Sequence, residues 1–283
     1  MAYAVARADV EIVAVDAMQV YRRMDVGTAK PSAADRLAVV HHGLDLVEPS
    51  QHFAVADFAR EAAPAVADIA TRGLRPLLVA GTGLYLRALT DPMTLPGQWP
   101  DVRATLESRA DNEGAPVLHA QLGELDPVAA SRMEPTNARR VVRALEVTLG
   151  SGRPFSSFGD GMNTYPPSEV TQVGLRWSRD ALTLRIAERV RRMMAAGLLD
   201  EVAGLLSEPA ALSRTARQAL GYKELIEHLE DKVALDHAVA AIALRTRQFA
   251  VRQERWFRRD PRIRWVTIDH DPIAEVLPVL LQT

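Results

Sequence analysis

The sequence has no cysteine among its 283 residues. This absence excludes disulfide bonds and any zinc site built on thiolates, and it suits a reducing cytoplasm. No apolar run approaches the roughly 20 residues of a membrane span. The first nine residues lack the basic start and the long apolar core of a signal peptide. We therefore expect a cytoplasmic protein that does not enter a membrane.

Recognisable metal and hydrolase motifs are also lacking. The seven histidines include the pair His41-His42, but no third ligand lies nearby in the sequence. No G-x-S-x-G motif and no thiol nucleophile are present. A net charge of −2, with 48% apolar and 25% charged residues, is that of an ordinary globular protein. Function must therefore be sought in local motifs.

The order of the predicted elements indicates an α/β fold. The apolar run Val10–Val15 is typical of a buried strand in a parallel sheet. A helix over residues 57–72, with Asp57 as its N-cap, precedes a second strand over residues 76–80. Strand, helix and strand in this order predict a parallel pair joined by a crossover.

The composition changes after Leu89, where a loop rich in proline leads into residues with helical patterning and no clear strand. Asn137 is a good N-cap for a helix over residues 138–149. Strand patterning returns at residues 170–177, followed by a helix over 179–196, a long helix over 235–258 and a strand over 263–268. We predict a core of residues 1–96 and 167–283 that is interrupted by a helical insertion of residues 97–166.

Three features near the predicted strand ends could carry chemistry. Asp16 follows the first strand directly, where a carboxylate can act as a general base, position a cation or simply cap a turn. Gly81-Thr82-Gly83 follows the second strand, where its N–H groups could approach an anion or only form a tight turn. Lys30 is a candidate phosphate contact, although most surface lysines are merely solvated.

Arginines cluster on two predicted helices. Arg139 and Arg143 are one turn apart on the first of them, next to Arg140. On the long helix, four arginines fall within an arc of about 80°: Arg245, Arg252, Arg255 and Arg259. Phe249 and Trp256 lie on the adjoining stripe. Such a face suits a phosphate backbone with stacked bases, while the alternative is a solvated face whose aromatics pack into the core.

Five segments together match one enzyme family in order and spacing. They are D-A-M-Q-V-Y-R-R-M-D-V-G-T-A-K-P at 16–31, A-G-T-G-L-Y at 80–85, N-A-R-R-V-V-R-A-L-E at 137–146, A-L-G-Y-K-E at 219–224 and R-T-R-Q at 245–248. With them the chain resembles the bacterial tRNA dimethylallyltransferases, also called tRNA isopentenyltransferases, over residues 4–268. The resemblance implies a core like that of the phosphate-loop (P-loop) NTPases, with a parallel sheet and a helical insertion.

The resemblance also implies an activity. The enzyme would move a dimethylallyl group from dimethylallyl diphosphate to N6 of the adenosine on the 3′ side of the tRNA anticodon, with Mg²⁺ as cofactor. Asp16 would take the N6 proton, and Thr82 would hydrogen-bond near the reacting centre. The insertion would grip the anticodon stem-loop, and the protein would act as a monomer. The implied tRNA contacts are Asp16, Ala17, Met18, Gln19, Thr82, Arg103, Arg139, Arg140, Val141, Val142, Arg143, Ala241, Ile242, Ala243, Leu244, Arg245 and Thr246.

One departure from the family concerns the phosphate loop. Members begin with a strand and a G-P-T-x-x-G-K-S/T loop that grips the diphosphate, and residues 1–9 contain neither. We expect a start about 20–25 residues upstream; otherwise Lys30 or Arg217 would have to bind the diphosphate. The alternatives are a tRNA-binding remnant without catalysis, an adenylate isopentenyltransferase and a small-molecule kinase.

Overall fold

A computed structural model describes residues 1–159 and 164–282. The chain forms two compact units, the first of Met1–Asp91 with Pro167–Thr283 and the second of Pro92–Pro166. The second unit thus begins five residues earlier than the predicted insertion and ends at the predicted residue. Residues 160–163 of the predicted insertion lie outside the described residues.

The secondary structure alternates strands and helices in the first unit and is helical in the second. In chain order the elements are α1 (Ala2–Ala6), β1 (Val10–Val15), α2 (Ala33–Ala38), β2 (His41–His42), α3 (Val55–Thr71), β3 (Arg75–Ala80), α4 (Gly83–Thr90), α5 (Pro100–Glu113), α6 (Ala115–Leu125), α7 (Pro127–Ser131), α8 (Ala138–Ser151), a 3₁₀ turn (Phe155–Phe158), β4 (Gln172–Trp177), α9 (Arg179–Ala195), α10 (Leu198–Leu206), α11 (Arg214–Arg217), α12 (Tyr222–Leu229), α13 (Leu235–Phe257), β5 (Ile263–Ile268) and α14 (Pro272–Leu281).

The strands of the first unit pair in parallel, as predicted. The order β2-β1-β3 places β1 in the centre, and all six of its residues are buried. Val15 pairs with Ala80, so β1 and β3 end at the same edge. β4 and β5 form a second parallel pair. The predicted α/β class is therefore confirmed, whereas β2 was missed because two residues are too short to show a pattern.

Helix ends follow the sequence with two corrections. The Asp57 carboxylate accepts a hydrogen bond from the Ala54 N–H, so Asp57 lies inside the first turn of α3 and is not its N-cap. Asn137 does cap α8, since its side chain accepts from the Arg140 N–H. α13 ends at Phe257, so Arg259 lies beyond the helix to which it was assigned.

Each unit has its own apolar core. In the first unit, Val13 of β1, Phe58 of α3 and Tyr222 of α12 belong to one buried cluster. In the second, Leu118 of α6 and Leu145 of α8 belong to another. None of the helices within the described residues is long and apolar enough to cross a membrane.

Candidate active site and nucleic-acid interface

Asp16 stands at the carboxyl end of β1 and uses its two oxygens differently. Oδ1 accepts hydrogen bonds from the backbone N–H groups of Met18, at 2.7 Å, and Gln19, at 3.2 Å. This is the Asx turn that the sequence offered as one alternative. Within the described part of the chain, Oδ2 accepts no hydrogen bond. The turn fixes the carboxylate while one oxygen stays available for a proton.

Thr82 lies beside Asp16 because β1 and β3 are paired in register. The Gly81 N–H donates to the Val15 carbonyl at 3.3 Å, which extends the ladder past the strand ends. The Ala17 N–H then donates to Thr82 Oγ1, also at 3.3 Å. The structure thus brings together the two side chains that the sequence proposed as catalytic, at the edge of the sheet where ligands bind in open α/β folds.

The two glycines around Thr82 are explained by close packing. A Cβ atom at Gly83 would lie 2.2 Å from ring carbons of Trp256, and one at Gly81 would lie 3.2 Å from Gln253 Nε2. Both neighbours belong to α13. Close packing therefore explains these glycines, which is the steric role that the sequence offered as an alternative to anion binding. Trp256 packs inward, as the sequence analysis expected if the aromatics of the long helix belong to the core.

Arg189 of α9 is a site residue that the sequence analysis missed. Arg189 is exposed on the surface of α9. Partial desolvation of its guanidinium by neighbouring atoms lowers its pKa, and the nearby Asp16 charge partly opposes that effect. The Arg189 guanidinium makes no hydrogen bond or ion pair within residues 1–159 and 164–282. Because α9 carries several arginines without a distinguishing pattern, only the tertiary structure separates this one from its neighbours. It supplies a cation within electrostatic reach of Asp16.

Lys30 does not fit its predicted role as a diphosphate contact. Its side chain is only 1% exposed. Nζ donates to the Tyr21 carbonyl at 2.5 Å, to Asp25 Oδ1 at 2.7 Å and to Asp45 Oδ1 at 2.6 Å. An ammonium has three N–H donors, so none is left for a phosphate. The prediction is corrected: Lys30 ties its own loop to the protein.

The loop before Lys30 is also held by the carboxylate of Glu201. Glu201 of α10 accepts hydrogen bonds from the N–H groups of residues 25, 26 and 27, at 2.8–3.1 Å. The Tyr222 hydroxyl donates to the same carboxylate at 2.5 Å. Burial and Glu201 both raise the pKa of Tyr222, which keeps the hydroxyl protonated. The D-V-G-T-A-K motif is therefore a structural loop in which Glu201 occupies the N–H groups.

Arg217, the other predicted diphosphate contact, lies on α11 and forms an ion pair with Glu230. The pair uses Nη2 alone and leaves the other guanidinium N–H groups without a partner among the described residues, on a side chain that is 40% exposed. The role of Arg217 as a diphosphate contact therefore stays a prediction.

In the second unit, two of the predicted tRNA-binding arginines serve an internal carboxylate. Arg103 Nε and Arg143 Nη1 each lie 2.9 Å from Glu146, whose side chain is 1% exposed. The Trp99 N–H also donates to Glu146. Burial raises the pKa of Glu146, but these hydrogen bonds outweigh that effect and lower it overall. Both arginines therefore stabilise the unit itself.

The four other predicted tRNA contacts at the start of α8 differ in their exposure to solvent. Val141 and Val142 are buried in the apolar core, so their predicted contact with tRNA is corrected. Arg139 and Arg140 are exposed on the preceding turn and have no side-chain partner among the described residues. They remain available to an external phosphate.

The predicted contacts on α13 fall mostly on its inward face. Ile242 is buried in the core, and Thr246 Oγ1 donates to the Ile242 carbonyl. Arg245 Nη1 lies 2.5 Å from the buried Glu224. The Ile242 side chain is therefore not available to tRNA, and that prediction is corrected. Arg245 pairs through Nη1 alone and is 38% exposed, and the Thr246 hydroxyl can still accept a hydrogen bond, so tRNA contacts of these two residues stay predictions. Of the neighbouring residues, Ala243 packs against the core, Ala241 is half-buried and Leu244 is exposed.

The outward face of α13 carries an arginine surface, as the sequence predicted, but with Arg247 in place of Arg245 and without Arg259. An open groove there has a volume of about 450 Å³ and is lined by Arg247, Gln248, Val251, Arg252 and Arg255. The three arginines make no ion pair among the described residues. We call this set of five residues the arginine face. Phe249 is also exposed on α13.

Metal ligation was left unassigned by the sequence. Among residues 1–159 and 164–282, no three His, Asp or Glu side chains are grouped to hold a metal ion. Magnesium commonly relies on one or two carboxylates together with substrate phosphates. The described side chains therefore do not form a closed magnesium site.

Comparison with known proteins gives one consistent family. The model of the family described as "IPP transferase" matches residues 19–260. The chain is 46% identical over 258 residues to the tRNA dimethylallyltransferase of Geobacter metallireducens, covering 90% of this chain and 84% of that one. It is 44% identical over 277 residues to the tRNA dimethylallyltransferase of Kineococcus radiotolerans, covering 95% and 87%.

Solved structures agree with this result. A full-length tRNA isopentenylpyrophosphate transferase from Bacillus halodurans is 35% identical, with a TM-score of 0.69 over 99% of this chain and 90% of that one. A eukaryotic dimethylallyltransferase acting on tRNA has a TM-score of 0.80 at 24% identity, covering 99% of this chain and 73% of its own, and shares the fold. The predicted P-loop-like α/β core is thereby confirmed.

Proposed function

This chain belongs to the IPP transferase family, and from that premise we propose that it is a tRNA dimethylallyltransferase. It would move a dimethylallyl group from dimethylallyl diphosphate to N6 of the adenosine on the 3′ side of the tRNA anticodon. The observation that carries the proposal is the pairing of Asp16 and Thr82 at one sheet edge, with Asp16 Oδ2 unoccupied and Arg189 within electrostatic reach.

The chemistry assigns Asp16 to the proton. As N6 attacks the first carbon of the dimethylallyl group, the bond from that carbon to the diphosphate oxygen breaks. The N6 proton passes to Asp16 Oδ2, and diphosphate leaves. An exocyclic amine is a weak nucleophile, so a positioned base contributes about 10²–10⁴ in rate. The Asx turn keeps Oδ2 in place for this transfer.

The leaving diphosphate needs positive charge. Arg189 supplies one unpaired guanidinium near Asp16, and guanidinium forks suit phosphate oxygens. We include Mg²⁺ in the proposal as an ion held mainly by the diphosphate itself. When bound, it would neutralise charge on the departing oxygens.

In the first unit, the arginine face of α13 would contact tRNA phosphates. In the second unit, Arg139 and Arg140 are the proposed phosphate contacts. Unpaired arginines attract phosphates, and an exposed aromatic such as Phe249 can stack on an unpaired base. The adenosine must leave its stack to reach Asp16, at a cost of a few kcal/mol that these contacts would offset. We further propose that the protein acts as a monomer in the cytoplasm.

The deciding experiment is transfer of labelled dimethylallyl from its diphosphate to an anticodon stem-loop RNA with adenosines on the 3′ side of the anticodon. We expect transfer by the full chain and a loss of about 10²–10⁴ in rate for Asp16→Asn, with RNA affinity retained. Asp236→Asn, at the exposed start of α13, is the matched control. RNA binding without transfer would instead support the alternative that the chain is a tRNA-binding remnant without catalysis. If neither is seen, the proposal fails.

A further inference from the structure

One side chain of α13 reaches across to the loop that carries Thr82. Gln253 Nε2 donates a hydrogen bond of 2.6 Å to the Gly81 carbonyl. Gln253 is only partly exposed and lies on the side of α13 opposite the arginine face. Trp256, one turn further on, packs against Gly83. The helix thus holds the loop at both of its glycines.

Gly81 lies beside Asp16 in the proposed site. A methyl group placed on Gly81 would lie 3.2 Å from Gln253 Nε2 and 3.6 Å from Asp16 Oδ2. The Gln253 amide and the free carboxylate oxygen therefore flank the same residue. The next side chain, Thr82, accepts a hydrogen bond from the Ala17 N–H. A shift of the loop would move the Thr82 hydroxyl relative to Asp16.

We propose that Gln253 is a positioning residue for the transfer reaction, acting through the Gly81 carbonyl; this rests on the proposed function. Its N–H fixes the loop so that the Thr82 hydroxyl and Asp16 Oδ2 keep their geometry. Displacements of about 1 Å in such a site can cost 10²-fold in rate. Helix α13 also packs against α12 and α9, so the fold does not depend on this hydrogen bond.

The discriminating variant is Gln253→Met, which keeps the length and volume of the side chain but lacks an N–H donor. We expect kcat for dimethylallyl transfer to fall about 10- to 100-fold, with KM for both substrates within about threefold of the parent chain. In Gln253→Glu, a carboxylate would face the Gly81 carbonyl, and we expect a larger loss. His237→Ala, at the exposed start of α13, should change nothing.

A purely structural role predicts a different pattern. It would lower the midpoint of thermal unfolding by an amount that accounts for the lost activity, whereas a direct RNA contact would raise KM for the stem-loop. Either pattern, or full activity in Gln253→Met, would overturn the proposal.

Hydrogen exchange tests the contact without turnover. In Gln253→Met we expect the Gly81 amide, which donates to the Val15 carbonyl, to exchange about tenfold faster, while amides of β1 stay unchanged. Unchanged exchange in this loop would refute the positioning role, even if the parent chain transferred no dimethylallyl group. A parent chain without transfer would count against the proposed function alone.

Discussion

At the scale of the residue, a positive charge alone did not show whether a side chain binds a ligand or stabilises the protein. Lys30, Arg103, Arg143 and Arg245 all point their charges at internal acceptors. Arg189, in contrast, has no partner within the described residues and lies near a carboxylate. A cation that the protein leaves unpaired is the one available to a ligand.

Arg189 can be tested against a neighbour on the same helix. For Arg189→Ala we expect KM for dimethylallyl diphosphate to rise about 10- to 100-fold, the effect of losing one hydrogen-bonded charge. RNA affinity should not change. Arg192→Ala is the control, because Arg192 is exposed and forms an ion pair with Glu188. Equal effects of the two substitutions would contradict the assignment, as steady-state kinetics would show.

Lys30 should matter for stability. Lys30→Met leaves the Asp25 and Asp45 carboxylates without their shared cation. We expect a loss of about 1–3 kcal/mol in the free energy of unfolding, measured by urea denaturation, with KM for the diphosphate unchanged. Lys232→Met, at an exposed lysine, is the control. A raised KM without destabilisation would restore the original prediction.

At the scale of the element, strand β1 contains a buried charge that governs its response to acid. Glu11 accepts hydrogen bonds from Arg72 of α3 and lies 2.7 Å from His42 of β2. The Arg72 hydrogen bonds are the main cause that lowers the pKa of Glu11 from 4.5 to about 2. Because the folded state favours the ionised form, Glu11 stabilises the protein fully above its ordinary pKa. That contribution is lost as pH falls toward 2.

Glu11→Gln tests this linkage. At pH 7 we expect it to be less stable than the parent chain, and the difference should shrink as pH falls from 4.5 toward 2. Urea unfolding at several pH values measures it, with Glu61→Gln on the exposed face of α3 as control. A difference that is constant with pH would show that Glu11 contributes through packing alone.

At the scale of the whole molecule, a net charge of −2 conceals a local excess of positive charge. Arg247, Arg252 and Arg255 share one face of α13 without acidic partners among the described residues. The first unit therefore presents an attractive surface to a polyanion although the protein as a whole is acidic.

RNA affinity should report that surface through its salt dependence. For Arg252→Ala combined with Arg255→Ala, we expect weaker binding of the stem-loop and a shallower slope of log K against log salt. Each lost phosphate contact removes about 0.7–0.9 from the slope. Arg191→Ala, on an exposed arginine of α9 paired with Glu188, is the control. An unchanged slope would place the RNA elsewhere.

Strand position singled out Asp16 and the Gly81–Gly83 loop as candidates, because each follows a short strand and parallel pairing places both strand ends at one edge. The resemblance to the family then implied the roles of Asp16 and Thr82. Sequence reasoning also reached the α/β class, the helical unit and the family, since alternation of elements and motif order are properties of the chain. The direction of a side chain on a helix was harder. Arg245 and Arg247 are two residues apart, yet only the first turns inward, toward Glu224.

The sequence by itself determined the family, the main strands and helices, and the strand ends that Asp16 and Thr82 follow. Those depend on local patterns and on one pairing rule. Only the tertiary structure decided which cations remain free, why Gly81 and Gly83 are glycines, and what holds the loop between them. These depend on atoms that are distant in the chain, such as Gln253 and Gly81, and no sequence spacing encodes their contact.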